Sequence, residues 1–361
     1  GDTLDNGQHL FMGCYTSTIR LLRKLGTLNL LKFQKGLQVE FVDQAAQFYA
    51  LKCLPLPAPL HLFSGILRLG TLSPSEKLKM VRVWRALRKG SAPGKTVTEW
   101  LTALGQSEKS QRHLWDLITL ATLNEQPNLA EADALITVLK EAFFSSPEKS
   151  QMAMSTVGLS DLCGPPAEKF IQSRGGSVQT NKLVKRIQAV GDQVRGIVMR
   201  DGSTLVADYY ISAVPFFVLK NLLPGEQSRS EFFAGLHQLK SSMILSISLW
   251  FDRRVIDKDF VGMLDTKTHW LFNKGRLLGR SKEGDYLALV ISGAQEHAEK
   301  TNEQILELCL GELRKAFPSC ANATLKHSLV VREKNATLSP RPGYNQWRPS
   351  QRTPLHNFFL A

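Results

Sequence analysis

Apolar and polar positions alternate along this chain with two different periods. In residues 16–25 apolar side chains recur every three to four positions and Gly26 follows, which predicts an amphipathic helix with a C-terminal glycine. Ser73-Pro-Ser-Glu76 predicts the start of a second helix, which reaches about Lys89 with Leu78, Val81, Trp84 and Leu87 on one side. Further helices are predicted from residue 96 and at 111–123, 128–144, 166–174, 216–222 and 304–317.

Short apolar runs bounded by turn residues predict strands, in three groups. The groups are 37–42 and 47–51; then 177–180, 183–190, 194–200, 204–206 and 209–214; and finally 243–251, 270–273, 286–293 and 323–332. Asp201-Gly202 predicts a tight hairpin turn, and the run 209–214, which Pro215 ends, suits a buried parallel strand. The expected fold is mixed α/β: an incomplete dinucleotide-binding domain of the Rossmann type, with an inserted substrate domain of helices and antiparallel sheet.

This reading divides the chain into five segments. Residues 1–36, 161–224 and 341–361 are assigned to the dinucleotide-binding domain. Residues 37–160 are assigned to a mostly helical region that contacts substrate and membrane, and residues 225–340 to the sheet and helix of the substrate domain.

The first fifteen residues carry the densest set of candidate functional positions. Asp5-x-Gly7-x-His9, followed by Gly13 and Tyr15, has neither a helix nor a strand period, which indicates a glycine-containing loop that lets backbone and an imidazole approach a ligand. A neutral His9 can hydrogen-bond a ligand oxygen, and a protonated His9 can act as a general acid. A hairpin turn beside a structural histidine is the alternative interpretation.

The loop resembles the Asp-x-Gly-x-His-x-Phe-x-Gly-x-Tyr segment of the phytoene desaturase and flavin amine oxidase superfamily. Residues 175–215 resemble the return of such chains into their FAD-binding domain. Within the superfamily the sequence is most similar to the bacterial squalene-associated, FAD-dependent desaturase-like family, the hydroxysqualene dehydroxylases. The segments that carry this similarity are Asp5-Asn-Gly-Gln-His9 and residues 56–61, 158–162 and 331–334.

The resemblance implies FAD as cofactor and assigns roles to particular positions. It places Gly7, Gln8 and His9 beside the flavin ring, with His9 as the candidate catalytic residue. The resemblance also assigns cofactor binding to Val184, Ala213, Val214 and Pro215. It assigns contact with the substrate, or a place at the pocket rim, to Tyr15, Arg332 and Lys334. Outside the resemblance, Val184 is an ordinary strand residue, residues 213–215 simply end a strand, and the two cations are ordinary solvated charges.

The resemblance also implies a reaction. A C30 isoprenoid alcohol, hydroxysqualene, loses its hydroxyl group and receives a hydride from reduced FAD, which gives squalene for isoprenoid or hopanoid biosynthesis. The alternative enzyme is a carotenoid-type desaturase, which removes a hydride from a polyene precursor. Both imply a long apolar tunnel. The sequence does not identify the electron donor or the general acid.

The charge balance is compatible with an anionic partner, namely a membrane surface, nucleic acid or a phosphorylated ligand, and equally with a basic surface that has no such partner. Lys+Arg 45 against Asp+Glu 32 gives a net charge of +13. The apolar residues 60–72 and the basic helix 77–89 together predict a monotopic contact with an anionic membrane, and hence a peripheral protein on the cytoplasmic face of a bacterial membrane. A non-catalytic basic module that binds membrane or nucleic acid is the alternative from another class, although the usual nucleic-acid motifs are missing. The five scattered cysteines favour a reducing cytoplasm over zinc or disulfides.

Two motifs of the superfamily do not occur in the sequence. A Gly-x-Gly-x-x-Gly turn, whose backbone and helix end hold a pyrophosphate, is missing, and so is a Gly-Asp-Trp loop after residues 357–361. We therefore expect an internal fragment that lacks about 40–60 N-terminal residues, the length of one strand-helix-strand unit with its next loop. Such a fragment is expected to be inactive alone and to bind FAD weakly.

Overall fold

A computed structural model describes residues 4–280 and 284–361. The chain forms two compact units. The first unit comprises Gly1–Arg174 and Ser241–Pro342, and the second comprises Gly175–Lys240 and Gly343–Ala361. The mixed α/β fold is confirmed, whereas the division into five segments stays a prediction.

The elements are numbered along the chain. The strands are β1 (Phe11–Met12), β2 (Leu31–Phe33), β3 (Gln38–Val42), β4 (Phe48–Lys52), β5 (Met152–Ser155), β6 (Val184–Val190), β7 (Gln193–Met199), β8 (Thr204–Leu205), β9 (Tyr210–Ser212), β10 (Ser241–Phe251), β11 (Phe260–Met263), β12 (Trp270–Asn273), β13 (Tyr286–Ser292), β14 (Leu325–Leu338) and β15 (Phe358–Leu360). The α-helices are α1 (Thr16–Leu25), α2 (Leu60–Arg68), α3 (Pro74–Lys89), α4 (Val97–Ala103), α5 (Glu108–Ser110), α6 (Asp116–Leu123), α7 (Ala132–Leu139), α8 (Leu159–Gln172), α9 (Phe216–Leu222), α10 (Gly225–Arg229), α11 (Glu231–Ala234), α12 (Lys274–Leu277) and α13 (Asn302–Ala316). Gln111–Trp115 and Lys140–Phe144 are π-helical; the first joins α5 to α6 and the second extends α7.

The first unit is built on a seven-stranded sheet in the order β14-β10-β13-β12-β11-β3-β4. Its strands pair antiparallel, except that β11 runs parallel to β3. Because side chains alternate across a pleated sheet, the two faces have separate cores. One face packs Leu245 and Ile247 with Ile305 and Leu313 of α13.

The other face of this sheet packs against the helical region. Phe41, Gly262, Trp270, Val290 and Ser246 lie in one row across β3, β11, β12, β13 and β10. The aromatic and aliphatic members of this row join buried residues of α2 to α7 in a single core. The row therefore forms the floor on which the helical region rests.

Helix α3 confirms its predicted start and corrects its predicted face. Ser73 and Glu76 form a capping box, and Pro74 is the first helical residue. The residues that face the core are Met80, Val83 and Leu87, whereas Leu78 is 74% exposed. The predicted inward position of Leu78 is therefore wrong, because the buried stripe runs along the neighbouring side of the helix.

Two other helices begin away from their predicted residues. Helix α7 begins at Ala132 rather than 128, because the preceding residues form a turn that pairs Glu131 with Thr96. Helix α8 begins at Leu159 rather than 166 and contains two prolines in its interior. Its first N–H is accepted by the Asp5 carboxylate at 2.9 Å, a partner that lies far away in sequence.

The opening segment also contains structure that its pattern does not predict. Residues 11–12 form β1, which joins β5 and β2 in a three-stranded sheet in the order β1-β5-β2. The predicted helix at residues 16–25 is confirmed as α1, with Gly26 in the left-handed conformation at φ 78°.

The second unit combines two small sheets with helices. Strands β6, β7 and β8 form an antiparallel sheet, and β9 pairs with β15 in parallel. The turn at Asp201-Gly202 is confirmed, with Gly202 at φ 88°. Residues 177–180 form no strand. The parallel strand predicted at 209–214 is confirmed as β9, but only one of its faces is buried, since Tyr210 is 6% and Ile211 72% exposed.

Candidate functional site

The loop at residues 5–9 lies on β10 of the main sheet. A Cβ placed on Gly7 would stand 3.7 Å from the Ser246 hydroxyl oxygen, so backbone and strand approach closely. The Ser246 hydroxyl is buried without a hydrogen-bond partner, and so is the Gln8 side-chain oxygen. The loop and the strand below it therefore present two unpaired polar groups.

A buried ion pair anchors the start of this loop. Lys274 Nζ lies 3.3 Å from Asp5 Oδ2, and the two side chains are 4% and 10% exposed. The other Asp5 oxygen accepts the Leu159 N–H. Asp5 thus fixes the loop to α12 through Lys274 and to α8 through Leu159.

His9 lies between two aromatic rings. The ring edge meets Phe11 at 5.1 Å between centroids, and the ring stacks on Tyr15 at 6.3 Å. Part of the His9 side chain is exposed to solvent in this unit. The surrounding protein nevertheless removes water from the ring, and this desolvation lowers the pKa of His9 below 6.5. Desolvation raises the pKa of Tyr15. The structure thus brings His9 and Tyr15 together, with a neutral imidazole near pH 7 that can accept a proton.

The space beside Gly13 is occupied by another segment of the same chain. A Cβ at this position would collide with the Glu148 carbonyl oxygen and stand 2.9 Å from the carbonyl carbon. The Gly13 N–H donates to the Gln151 carbonyl at 2.9 Å. The expectation that Gly13 leaves room for a ligand is therefore wrong, because the segment 148–151 occupies that room.

An apolar cavity lies between the helical region and the floor of the sheet. Its volume is about 100 Å³, which is below the roughly 300–1,000 Å³ typical of small-molecule sites. The lining residues are apolar with the exception of Thr122. They are Met12, Leu37, Val39, Phe41, Leu51, Leu62, Phe63, Ile66, Met80, Val83, Trp84, Leu87, Leu114, Trp115, Leu117, Ile118, Ala121, Thr122, Leu139, Phe143, Phe144, Met152 and Trp270.

Four lining side chains carry polar atoms: Thr122 and the tryptophans Trp84, Trp115 and Trp270. The Thr122 hydroxyl donates to the Ile118 carbonyl at 2.7 Å. The Trp115 indole N–H donates to Gln106 at 3.2 Å. The Trp270 indole nitrogen is buried without a partner. The lining is therefore suited to an apolar group with few polar atoms.

Arg332 and Lys334 do not lie at the rim of this cavity. Arg332 pairs with Leu245 on the opposite face of the sheet, and its guanidinium donates to Asn302 at 2.9 Å and to backbone carbonyls that include Ala298. Lys334 is exposed on β14. The register of β14 against β10 thus directs Arg332 away from the cavity. His61 of the segment 56–61 is buried and contacts the Ser150 hydroxyl at 3.1 Å.

The other predicted cofactor residues lie in the second unit. Val184 is the first residue of β6 and pairs with Met199. Ala213, Val214 and Pro215 are exposed and connect the carboxyl end of β9 to α9. Open α/β sheets bind ligands at the carboxyl ends of parallel strands, so the position of residues 213–215 is compatible with the predicted role. The roles of the predicted site residues stay predictions.

The residues of the first unit fit a flavin ring. The ring is flat and carries hydrogen-bond donors and acceptors at one edge, which requires a close backbone and unpaired polar groups nearby. Gly7 provides the close backbone, and the unpaired oxygens of Gln8 and Ser246 provide polar partners. Lys274 holds the start of the same loop through its buried ion pair with Asp5.

The mixed α/β fold, with a glycine loop that fits a flavin ring, defines a flavin-dependent oxidoreductase whose cofactor is FAD. All of residues 1–361 match the family described as flavin containing amine oxidoreductase, and the chain belongs to this family.

Proteins that are similar in sequence to this chain include carotenoid desaturases. A 15-cis-phytoene desaturase of Arabidopsis thaliana is 27% identical over all of this chain and 67% of its own length. The 15-cis-phytoene desaturase of Synechococcus elongatus is 26% identical over all of this chain and 80% of its own length. An oxidoreductase structure from Methanosarcina mazei superposes with a TM-score of 0.73 at 13% identity, over 98% of this chain and 81% of that one. The chain thus spans about two thirds of the plant relative.

The structure adds three residues that sequence patterns do not single out. Ser246 and Trp270 occur in apolar strands, where a lone polar or aromatic residue reads as part of a core. Lys274 follows β12 and resembles a surface lysine. Only the pairing of distant strands and the contact with Asp5 reveal them.

Proposed function

We propose that this protein binds a long isoprenoid chain in the apolar cavity and exchanges a hydride between an allylic carbon of that chain and FAD. The observation that carries the proposal is the almost entirely apolar lining of this cavity. FAD, when bound, supplies the two-electron hydride chemistry. Desaturation is the direction that we place first, because the relatives named above are phytoene desaturases.

The residues of this chain have three tasks in a desaturation. The cavity walls orient the isoprenoid chain and exclude water, which would quench a carbocation. Gly7, Gln8 and Ser246 hold the flavin ring. His9 receives the proton that leaves together with the hydride, since its lowered pKa keeps the imidazole neutral and able to accept it.

Reductive dehydroxylation of hydroxysqualene to squalene is the second candidate. It is favoured by the sequence segments Asp5-Asn-Gly-Gln-His9, 56–61 and 331–334. In this reaction the hydroxyl group leaves as water after protonation, and a hydride completes the carbon. An acid is required, and the lowered pKa of His9 makes it a weaker candidate for that task.

An anaerobic assay with the two redox states of FAD distinguishes the candidates. Oxidised enzyme mixed with phytoene should lose the flavin absorbance and form a product with an additional double bond. If reduced enzyme instead recovers the oxidised absorbance on addition of hydroxysqualene and releases squalene, dehydroxylation is the reaction. Failure of both reactions in FAD-loaded protein would overturn the proposal.

His9→Gln tests the proton-transfer role. Glutamine keeps a polar group but cannot take up the proton, so turnover should fall about 100-fold or more while FAD content stays constant. His327→Gln, at an exposed histidine of β14, is the control and should keep wild-type turnover. Equal turnover in the two variants would assign His9 a structural role.

We further propose that α2 and α3 contact an anionic membrane. Leu60, Leu67 and Leu78 are 56%, 65% and 74% exposed, so α2 and α3 present apolar side chains to solvent. Helix α3 also carries exposed cations, such as Arg82 and Arg85. A substrate with negligible solubility in water would enter from the lipid. Among the described residues, no helix has the length and apolar character needed to cross a bilayer.

A further inference from the structure

A second pocket of the first unit lies at the carboxyl ends of the parallel strands β3 and β11. Its volume is about 520 Å³, within the roughly 300–1,000 Å³ typical of small-molecule sites. Gln44 and Asp265, which follow these two strands, line the pocket together with side chains of α6 and α13. The proposed hydride transfer gives this pocket no role.

The Asp116 carboxyl group, at the start of α6, lines the pocket without a partner. It makes no hydrogen bond or ion pair with any residue that the structure describes. Desolvation raises the pKa of Asp116 to about 6, although Arg112 nearby opposes this shift. Arg112 itself is bonded to Glu108 at 2.8 Å and to Asp265 at 3.2 Å. An unpaired, partly desolvated carboxyl group in a pocket is typical of a binding site.

His269 provides a hydrogen-bond donor in the same pocket. It lines the pocket and is 8% exposed. Its Nδ1 accepts the Ser292 N–H at 3.0 Å, and desolvation lowers its pKa to about 4, so the ring is neutral near pH 7. The proton of this neutral ring is therefore on Nε2. Among the residues that the structure describes, none accepts the Nε2–H, and Nε2 is not cut off from solvent.

The charged groups of the lining favour a cation. The described lining residues carry more carboxylates than cations: Asp116, Asp265, Glu296 and Glu312 against Arg112 and Lys267. Lys267 pairs with Glu296 at 2.9 Å, and Glu312 accepts the Lys267 and Thr268 N–H groups. Because the other charged groups are engaged within the protein, Asp116 is the group left for a ligand.

We propose that this pocket binds a small organic cation, whose ammonium group pairs with the Asp116 carboxylate and whose oxygen atom accepts the His269 Nε2–H. Leu120 and Met263, which also line the pocket, contact the carbon chain between these two groups. The inference is independent of the proposed function, because neither FAD nor an isoprenoid takes part.

Aminohexanol, a six-carbon chain with an amine at one end and a hydroxyl at the other, is the probe for Asp116. Hexanediol, with a hydroxyl in place of the amine, is the neutral control. Calorimetric titration should give about tenfold tighter binding of aminohexanol, as expected for one charge-assisted hydrogen bond. Asp116→Asn should remove this preference. Asp208→Asn, at an exposed residue of the second unit, should keep it.

The role of His269 is tested with hexylamine, which lacks the oxygen atom. His269→Asn should weaken binding of aminohexanol about fivefold and change binding of hexylamine by less than about twofold, because hexylamine does not use the Nε2–H. Equal effects on the two amines would overturn the assignment of His269 to this site.

The Asp116→Asn variant should fold, because Asn has the same shape and Asp116 makes no hydrogen bond that the change would remove. If it does not fold, Gln44→Lys adds a cation at an exposed position of the lining and should weaken aminohexanol about threefold without affecting hexanediol. Equal affinity of the wild-type chain for aminohexanol and hexanediol, or an unchanged preference in Asp116→Asn, would overturn the inference.

Discussion

Two glycines of the opening loop, six residues apart, have different physical roles. A methyl group would fit at Gly7, where its nearest neighbour is the Ser246 hydroxyl. A methyl group would not fit at Gly13, because the backbone of Glu148 lies too close. Gly7→Ala should therefore fold with an unfolding free energy within about 0.5 kcal/mol of the wild type and bind FAD more weakly. Gly13→Ala should lose about 3 kcal/mol, because a Cβ cannot fit without backbone movement.

Urea unfolding and a flavin fluorescence titration measure the two effects of these glycine variants. Each of the two variants is the control for the other, since both add one methyl group to the opening segment. Unchanged FAD affinity in Gly7→Ala would remove Gly7 from the cofactor site, and a stable Gly13→Ala would contradict the described packing.

The ion pair between Asp5 and Lys274 gives a second prediction at the residue scale. Lys274→Met leaves a carboxylate that is 10% exposed without its counter-ion, which should cost about 3–5 kcal/mol of unfolding free energy. Lys258→Met breaks the more exposed pair with Glu40 and should cost about 1 kcal/mol or less. Urea denaturation of both variants checks the difference. Similar losses in the two variants would show that the buried pair does not anchor the loop.

At this scale the sequence predicts residue types better than contacts. The Gly7 and His9 positions follow from the pattern of the loop, and the structure places both where a ligand can reach them. The partner of Asp5 could not be predicted, because Lys274 is distant in sequence. The face of the sheet that Arg332 occupies could not be predicted for a similar reason, since it depends on the register between β14 and β10.

At the scale of elements, α2 and α3 carry the membrane proposal. Changing Arg82, Arg85, Arg88 and Lys89 to Gln should weaken binding to anionic vesicles by up to about 1 kcal/mol for each cation. Binding to neutral vesicles should change little, because it depends on Leu60, Leu67 and Leu78. Sedimentation with the two vesicle types measures both effects.

The control for the membrane experiment changes cations elsewhere. Lys326→Gln with Lys334→Gln removes two exposed charges from β14 and should leave vesicle binding near the wild-type value. Equal weakening by this pair and by the α3 variant would indicate an effect of net charge alone, and the proposed contact surface would be wrong.

Elements with local signals are those that the sequence predicts well. The α3 start is encoded in four consecutive residues, Ser73 to Glu76, and the structure has the expected capping box. Strands β1, β2 and β5 are short and pair across more than a hundred residues, so no local period reveals them. The early start of α8 likewise depends on a distant carboxylate, that of Asp5.

For the molecule as a whole, His269 should make stability depend on pH. Desolvation lowers its pKa to about 4, and its Nδ1 accepts the Ser292 N–H at 3.0 Å. The folded state thus resists protonation, whereas the unfolded chain takes up the proton near pH 6.5. Stability is complete above pH 6.5 and should fall by roughly 3 kcal/mol as the pH decreases to about 4.

His269→Asn isolates this contribution, because its side-chain oxygen can accept the same N–H but does not titrate. The difference in unfolding free energy between wild type and variant should shrink or reverse on going from pH 7 to pH 5 in urea titrations. A constant difference across this range would contradict the lowered pKa of His269.

The central claim for the whole molecule is that the cavity of the first unit holds a long isoprenoid chain. The most direct measurement is the affinity of the purified chain for isoprenoids of increasing length, in wild type and in Ala121→Trp, which adds bulk at an exposed position of the cavity lining. Affinity should rise at least tenfold with each added isoprene unit until the cavity is filled, since each buried methylene contributes about 0.8 kcal/mol. Ala121→Trp should lower the length at which the rise stops. Affinity that does not depend on chain length, or an identical length profile in the variant, would contradict the assignment of this cavity to the substrate.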